Sequence, residues 1–97
     1  MAFYDPAAEG APAVFIYALS TCVHCKAAKK LLGELGVEYG HVEVDLLAED
    51  EMDTCLVEMS QYNPSQSFPT LIIGDKVIVG NREEDIRQAV GKLEGAK

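Results

Sequence analysis

The stretch Ser20-Thr21-Cys22-Val23-His24-Cys25-Lys26 decides how this sequence folds, because it follows an apolar run and begins a helical pattern. With Thr21 as the expected N-cap, Cys22 and Cys25 fall one helical turn apart on the same face. Cys22 then lies among unpaired N–H groups at the positive end of the helix dipole, which favours its thiolate form. A thiolate is the nucleophile of disulfide exchange, so this spacing predicts redox chemistry.

Two other uses of a Cys-x-x-Cys pair compete with that interpretation. Zinc and iron–sulfur sites share the spacing, but they usually need a second pair of cysteines or histidines at matching distance. Here the remaining soft ligands, Cys55, His24 and His41, are scattered along the chain. A metal or iron–sulfur binding module that uses Cys22, Cys25 and Cys55 therefore stays as the alternative of a different class. A purely structural disulfide across so short a loop would stabilise little, because it removes little chain entropy.

The composition predicts one acidic domain that needs no disulfide to be stable. Sixteen Asp and Glu against eight Lys and Arg give a net charge of −8, which argues against nucleic acid and membranes as partners. Residues 11–19 are apolar but too few to span a bilayer, and Asp5 and Glu9 stand where a signal peptide carries positive charge. Because no export signal is visible, we expect a cytoplasmic protein, and disulfides in the cytosol are mostly transient and catalytic.

The first half of the chain predicts an arm, a strand, a helix and a second strand. Residues 1–12 contain two of the four prolines and are expected to form a flexible N-terminal arm. Residues 13–18 are almost all apolar, as in a strand covered on both faces, and residues 41–46 alternate, as in a strand with one covered face. Between them lies a helical stripe that Gly36 would end. Its members are Ala27, Ala28, Leu31, Leu32 and Leu35.

The second half predicts a helix, a hairpin and a last helix. The acidic residues between 49 and 53 suit a first turn, followed by the apolar stripe Met52, Cys55, Leu56 and Met59. In that stripe Cys55 is expected to be a buried small hydrophobe. Residues 70–73 and 76–79 flank Gly74-Asp75, a two-residue hairpin signal. Asn81 with Glu84 resembles a capping box that begins the last helix.

These elements occur in the order βαβαββα, which predicts an α/β protein with a mixed four-stranded sheet flanked by three helices. With Cys-x-x-Cys after the first strand, the chain resembles a glutaredoxin, which has a thioredoxin-like fold. The likeness covers about residues 13–93, and residues 13–97 are expected to form the glutaredoxin-like domain. Three segments carry it: Thr21-Cys22-Val23-His24-Cys25, Ser67-Phe68-Pro69 and Gly80-Asn81-Arg82-Glu83.

The resemblance implies roles for the residues of the first two segments. Cys22 would attack the substrate disulfide, and Cys25 would resolve the mixed disulfide. Pro69 would be a cis-proline against the disulfide, and the backbone of Phe68 would pair with the bound cysteinyl peptide. The implied substrates are protein disulfides and glutathione mixed disulfides. No tightly bound cofactor or metal is expected; glutathione would be a co-substrate, and the protein a monomer.

Further substrate contacts are expected around these two segments. Thr21 and Lys26 flank the cysteines, and Lys26 with Arg82 could offset the repulsion that an acidic protein exerts on an anionic thiol. The free N–H groups that follow Gly80 and Asn81 at a helix start could also hold a glutathione carboxylate.

The sequence departs from the glutathione-dependent pattern at two places. Leu19 stands where these proteins commonly have a basic residue, and Asn81-Arg82 stands where they tend to have acidic residues. An arginine there, with Val23 after the first cysteine, resembles the redoxins that serve ribonucleotide reductase. Such proteins are recharged by thioredoxin reductase, which is therefore the alternative electron donor. A cationic His24 beside Cys22 would stabilise the thiolate and hence the reduced form, which would make the disulfide a better oxidant.

Overall fold

The computed structural model describes residues 3–4, 10 and 12–95 of the chain. The elements are β1 (Val14–Ala18), α1 (Val23–Glu34), β2 (Gly40–Glu43), a 3₁₀ turn (Val44–Leu46), α2 (Glu49–Ser60), β3 (Thr70–Ile73), β4 (Lys76–Val79) and α3 (Glu83–Gly95). Three helices flank one four-stranded mixed sheet, which confirms the predicted thioredoxin-like α/β fold. Within these residues no helix is both long and apolar enough to cross a membrane.

The sheet has the strand order β2-β1-β3-β4, with β1 in an interior position. β1 runs parallel to β2 and antiparallel to β3, and β3 pairs antiparallel with β4. Every residue of β1 is buried, as its apolar composition predicts. Because β1 and β2 are parallel, the segments that follow them begin at the same edge of the sheet. Cys22 and Asp45 are therefore brought to that edge from distant parts of the sequence.

The sheet separates two apolar cores. Val14, Ile16 and Ala18 of β1 lie on the face that packs against α1 and α3, whereas Phe15 and Tyr17 lie on the face that packs against α2. This alternation is the two-residue period of a strand covered on both sides. It also separates the cysteines, because Cys25 belongs to the first core and Cys55 to the second.

The predicted second strand is too long. The alternating pattern predicts one strand over residues 41–46, but β2 ends at Glu43 and residues 44–46 form a 3₁₀ turn. Asp45 within that turn accepts two hydrogen bonds from Ser20, from the backbone N–H and from the hydroxyl. An alternating pattern cannot reveal this end, since the bonds that stabilise the turn come from a residue 25 positions away.

The predicted capping box at α3 is wrong. The first bond of the helix runs from the Ile86 N–H to the Arg82 carbonyl, so the cap position falls on Arg82 rather than Asn81. Asn81 Oδ1 is shielded from solvent and has no hydrogen-bond partner among the described residues. The Glu84 carboxylate accepts instead from the Gln88 side chain.

Two residues of the N-terminal segment are held against the domain. The backbone N–H groups of Phe3 and Tyr4 donate to the Glu58 carboxylate at 2.8 and 3.1 Å, and Tyr17 Oη donates to it at 2.6 Å. Tyr4 is buried, and its ring stacks on Phe15 with centroids 4.6 Å apart. The predicted flexible arm otherwise falls largely outside the described residues, where it stays a prediction.

We expect Gly40→Ala to destabilise the domain, because a Cβ at this position would lie 2.8 Å from Phe15 Cδ1. Phe15 is buried and stacked on Tyr4, so it has little room to move, and overpacking of this kind costs about 1–3 kcal/mol. The matched control is Gly33→Ala in α1, where a Cβ meets nothing within 4 Å and should stabilise the helix by about 0.5–1 kcal/mol. Urea unfolding of both variants tests this. Equal free energies of unfolding would contradict it.

Candidate active site

The loop between β1 and α1 brings both cysteines to the start of α1. Cys22 has an extended backbone and is itself the N-cap, its Sγ accepting from the Cys25 N–H at 3.2 Å. The prediction that Thr21 caps the helix is therefore wrong by one residue. The Cys22 N–H donates to the Leu19 carbonyl at 3.2 Å, in the loop that precedes α1. The sulfur does what a serine or aspartate oxygen usually does at this position.

These contacts favour the thiolate of Cys22. Burial raises the pKa of Cys22, but hydrogen bonds from the Cys25 thiol, the Cys25 N–H and the His24 N–H outweigh it and leave the pKa lowered. A thiolate accepts such bonds better than a thiol, and the helix N-terminus adds its partial positive charge. The thiol is partly exposed, so an incoming disulfide can reach it.

Cys25 has the opposite properties. Its side chain is fully buried, and burial, followed by its hydrogen bond to Cys22, raises its pKa. The Leu19 N–H donates to Cys25 Sγ at 3.5 Å and, together with the nearby Lys29 ammonium, offsets only part of that rise. Cys25 is thus held as a neutral thiol beside the sulfur whose pKa is lowered.

The second predicted segment lies against the same core as the cysteines. The Phe68–Pro69 peptide bond is cis, as the resemblance implies, and Pro69 is fully buried. Phe68 is half-buried and packs against both cores, while Cys22 packs against the first of them. The Pro69 carbonyl accepts from the Gly80 N–H at 2.8 Å. This bond joins the second predicted segment to the third.

The third segment forms the start of α3. Gly80 has φ +86°, a left-handed conformation that turns the chain from β4 into the helix. Arg82 is exposed, and its guanidinium lies 3.8 Å from the Asp85 carboxylate, a surface ion pair worth about 0–1 kcal/mol. The first turn of α3 contains Glu83, Glu84 and Asp85, so three carboxylates already lie at its positive end.

The remaining predicted site residues are exposed around Cys22. Thr21, His24 and Lys26 all have exposed side chains, and the Lys26 N–H donates to the Cys22 carbonyl at 3.1 Å as part of the helix. The group of His24 that bonds to Cys22 is its backbone N–H. Redox tuning by the imidazole stays a prediction.

The structure does not assemble the alternative metal site. Cys55 lies in the core under α2, on the opposite face of the sheet from Cys25, and is fully buried. Burial, with a smaller contribution from the Glu58 carboxylate, raises its pKa to about 11. Among the described residues no group of three or more His, Cys, Asp or Glu side chains is arranged to hold a metal ion. The three cysteines therefore do not form one ligand set.

Asp45 is the site residue that the sequence interpretation missed. Ser20 donates to it twice, from the N–H to Oδ1 at 2.8 Å and from Oγ to Oδ2 at 2.5 Å. These bonds hold the residue that lies two positions before Cys22. The available signal was weak: an acidic residue at the end of a strand predicted to run parallel to β1.

Comparison with known proteins accounts for this arrangement. A family model described as Glutaredoxin matches residues 14–78, more than half of the chain, and the match includes the cysteine pair and the cis-proline. The chain belongs to the glutaredoxin family. Membership implies thiol-disulfide oxidoreductase activity for this glutaredoxin, and the cysteine pair at the start of α1 fits that chemistry.

Solved structures and a curated sequence show the same relationship. This glutaredoxin is 51% identical to Methanosarcina acetivorans methanoredoxin, with a TM-score of 0.76 over 80% of this chain and 83% of that chain. It is 31% identical to an Archaeoglobus fulgidus glutaredoxin, with a TM-score of 0.79 over 84% and 88% of the two chains. It is also 32% identical over 82 residues to a glutaredoxin of Ricinus communis, covering 84% of this chain and 78% of the relative.

We expect iodoacetamide at mildly acid pH to label Cys22 before the other two cysteines, because only the thiolate reacts and Cys22 alone combines a lowered pKa with exposure. Peptide mass spectrometry of reduced protein measures the order of labelling. In Cys22→Ser the early label should disappear rather than move to Cys25. Earlier labelling of Cys25 or Cys55 in the native protein would contradict the assignment.

Proposed function

We propose that this glutaredoxin reduces protein disulfides and glutathione mixed disulfides by a dithiol mechanism that uses Cys22 and Cys25. The observation that carries the proposal is the contrast between the thiols: Cys22 is accessible with a lowered pKa, and Cys25 is buried with a raised one. A dithiol mechanism needs one thiolate to attack and a second thiol held in reserve to resolve the mixed disulfide. The proposed setting is the cytoplasm, with the protein acting as a monomer and without a tightly bound cofactor.

The first step forms a mixed disulfide. The Cys22 thiolate attacks one sulfur of the substrate disulfide, a new S–S bond to Cys22 forms, and the other sulfur leaves as a thiolate that takes up a proton. The backbone of Phe68 beside Pro69 would bind the extended cysteinyl segment of the substrate. Because the pKa of Cys22 is lowered, this step should keep its rate as the pH falls until the pH passes through that lowered pKa.

The second step releases the reduced substrate. Cys25 loses its proton and attacks Cys22 Sγ, the Cys22–Cys25 disulfide forms, and the substrate sulfur leaves as a thiolate that is protonated. One cause of the raised pKa of Cys25 is the Cys22 sulfur beside it. The Cys22 sulfur carries no negative charge once it is part of the mixed disulfide, so Cys25 becomes easier to deprotonate when its thiolate is needed. Two electrons pass from the dithiol to the substrate, and an external donor must return them.

For the electron donor we propose a small thiol, with glutathione as the first candidate. Two molecules of such a thiol would reduce the Cys22–Cys25 disulfide and form one disulfide of their own. The exposed cations Lys26 and Arg82, together with the start of α3, would attract its carboxylates. The partly exposed Cys22 leaves room for a tripeptide to approach.

Specific observations favour thioredoxin reductase as the second candidate. Leu19 replaces a cation that would contact a glutathione carboxylate, and the first turn of α3 presents Glu83, Glu84 and Asp85 to any anion. Losing one or two charged contacts, each worth about 1–3 kcal/mol, would weaken glutathione binding about tenfold or more. A protein donor does not depend on those contacts.

We expect Cys25→Ser to separate the two substrate classes. Without a resolving thiol, reduction of a protein disulfide such as insulin should fall to background, because the mixed disulfide persists. Reduction of a glutathione mixed disulfide should keep part of its rate, because a second glutathione can resolve it at Cys22. Turnover is followed by NADPH oxidation through glutathione reductase.

Two further results bear on this experiment. Cys55→Ala, which removes the thiol on the other face of the sheet, is the control and should keep both activities. Equal loss of both activities in Cys25→Ser, in protein that remains folded, would contradict the dithiol mechanism.

We expect Arg82→Glu to lower glutathione-dependent turnover about three- to tenfold, because it replaces an attractive charge with a repulsive one beside three other acids. The equilibrium constant of the Cys22–Cys25 pair against a reference dithiol should change less than about twofold, since exposed charges are screened. Turnover with 2-mercaptoethanol, a thiol without a carboxylate, should also stay unchanged.

The matched control is Arg87→Glu, which makes the same change of charge at an exposed position about one turn further along α3. It should leave glutathione-dependent turnover near the native value. If Arg82→Glu leaves the kinetics with both glutathione and thioredoxin reductase unchanged, Arg82 is only a surface residue.

A further inference from the structure

One peptide group connects Asp45 to Cys22. The N–H of Ser20 and the carbonyl of Leu19 belong to the same planar unit. The N–H side donates to Asp45 Oδ1 at 2.8 Å, and the carbonyl side accepts from the Cys22 N–H at 3.2 Å. A carboxylate bound at one end of this plane therefore fixes the direction of the bond to Cys22 at the other.

The same segment also reaches the second sulfur. The Leu19 N–H, one peptide unit upstream, donates to Cys25 Sγ at 3.5 Å. The Ser20 hydroxyl adds a 2.5 Å bond to Asp45 Oδ2, so Asp45 holds this residue through two bonds to two different oxygens. Residues 19–22 lie between the end of β1 and the start of α1, outside any helix or strand. These bonds, rather than regular secondary structure, therefore hold the segment.

We propose that Asp45 is a positioning residue for Cys22 and Cys25, acting on Cys22 through the Leu19–Ser20 peptide group that it holds and on Cys25 through the adjoining Leu19 N–H. The proposal rests on the proposed function only for the reason why positioning the two sulfurs matters. The positioning itself can be tested without any turnover. Asp45 reaches the loop because β1 and β2 are parallel and end at the same edge of the sheet.

Asp45 could act on Cys22 by holding the loop or by its negative charge, and these two roles predict opposite changes in the alkylation rate of Cys22. If Asp45 acted only as a negative charge near the thiolate, removing it would lower the pKa of Cys22 and speed alkylation. If Asp45 acts by holding the loop, removing it loosens the Cys22 cap, so the bonds from the His24 and Cys25 N–H groups weaken and alkylation slows. The direction of the change therefore identifies the role.

Alkylation of Cys22 by iodoacetamide, measured against pH by peptide mass spectrometry, tests the proposal. Asp45→Ala should react about three- to tenfold more slowly at a fixed pH below the native midpoint, since each pKa unit changes the thiolate fraction about tenfold there. Asp45→Asn can accept from the Ser20 N–H and donate to Ser20 Oγ, so it should stay within about twofold of the native rate. Ser20→Ala keeps one of the two bonds and should lie between them.

Controls separate the loop from general electrostatics and from folding. Asp53→Ala removes one exposed negative charge on α2 and should react at the native rate or slightly faster. Lys29, His24 and Lys26 are the same in every variant, so their effects cancel in the comparison. Circular dichroism checks that each variant is folded, and if Asp45→Ala is not, Ser20→Ala decides the question.

Asp45→Ala and Ser20→Ala reacting as fast as the native protein, or faster, would overturn the proposal. Slow alkylation of both with no disulfide reduction by the native protein would support the positioning role and refute the proposed function. Disulfide reduction by the native protein, with both variants alkylated at the native rate, would support the proposed function and refute the positioning role.

Discussion

The hydrogen bond from the Cys25 N–H to Cys22 Sγ is the interaction on which the chemistry of this glutaredoxin depends. The side-chain atom that caps the start of a helix is usually an oxygen, and replacing the residue that carries it by alanine costs about 0.5–2 kcal/mol of stability. Here the capping atom is the proposed nucleophile. The contacts that begin α1 also stabilise the thiolate, so the fold and the reactivity of Cys22 share one set of N–H donors. When the sulfur becomes part of a disulfide it loses its negative charge and accepts these bonds less well, which favours the reduced form.

The sheet supplies the geometry that this cap requires. The parallel pair β1 and β2 brings Ser20 and Asp45 to one edge, and the antiparallel strand β3 delivers Pro69 to the same region from the other side of β1. The Pro69 carbonyl in turn binds the Gly80 N–H, so the start of α3 is tied to the cis-proline. Residues from four separate parts of the chain are thus held together by backbone or carboxylate bonds.

Charge determines which partners suit this surface. The chain has a net charge of −8, and its acidic residues include the first turns of both α2 and α3. Under the proposed function, a small anionic thiol would approach against this field, helped by Lys26 and Arg82, whereas a protein donor could match the field with its own cations. We therefore expect the choice of electron donor to depend on a few exposed side chains.

The sequence alone determined the order of the elements, the two-sided burial of β1 and the position of the cysteine pair, because these depend on local periodicity and spacing. It also located the cis bond at Pro69, through a resemblance and not through physics. Only the tertiary structure decided that Cys22 rather than Thr21 caps α1, that β2 ends at Glu43, and that Asn81 does not cap α3. The end of β2 depends on hydrogen bonds to a distant residue, whereas the two helix starts are set by local bonds that periodicity does not resolve to a single residue. Asp45 shows this most directly, since its bonds to Ser20 join residues 25 positions apart that meet only because two parallel strands end together.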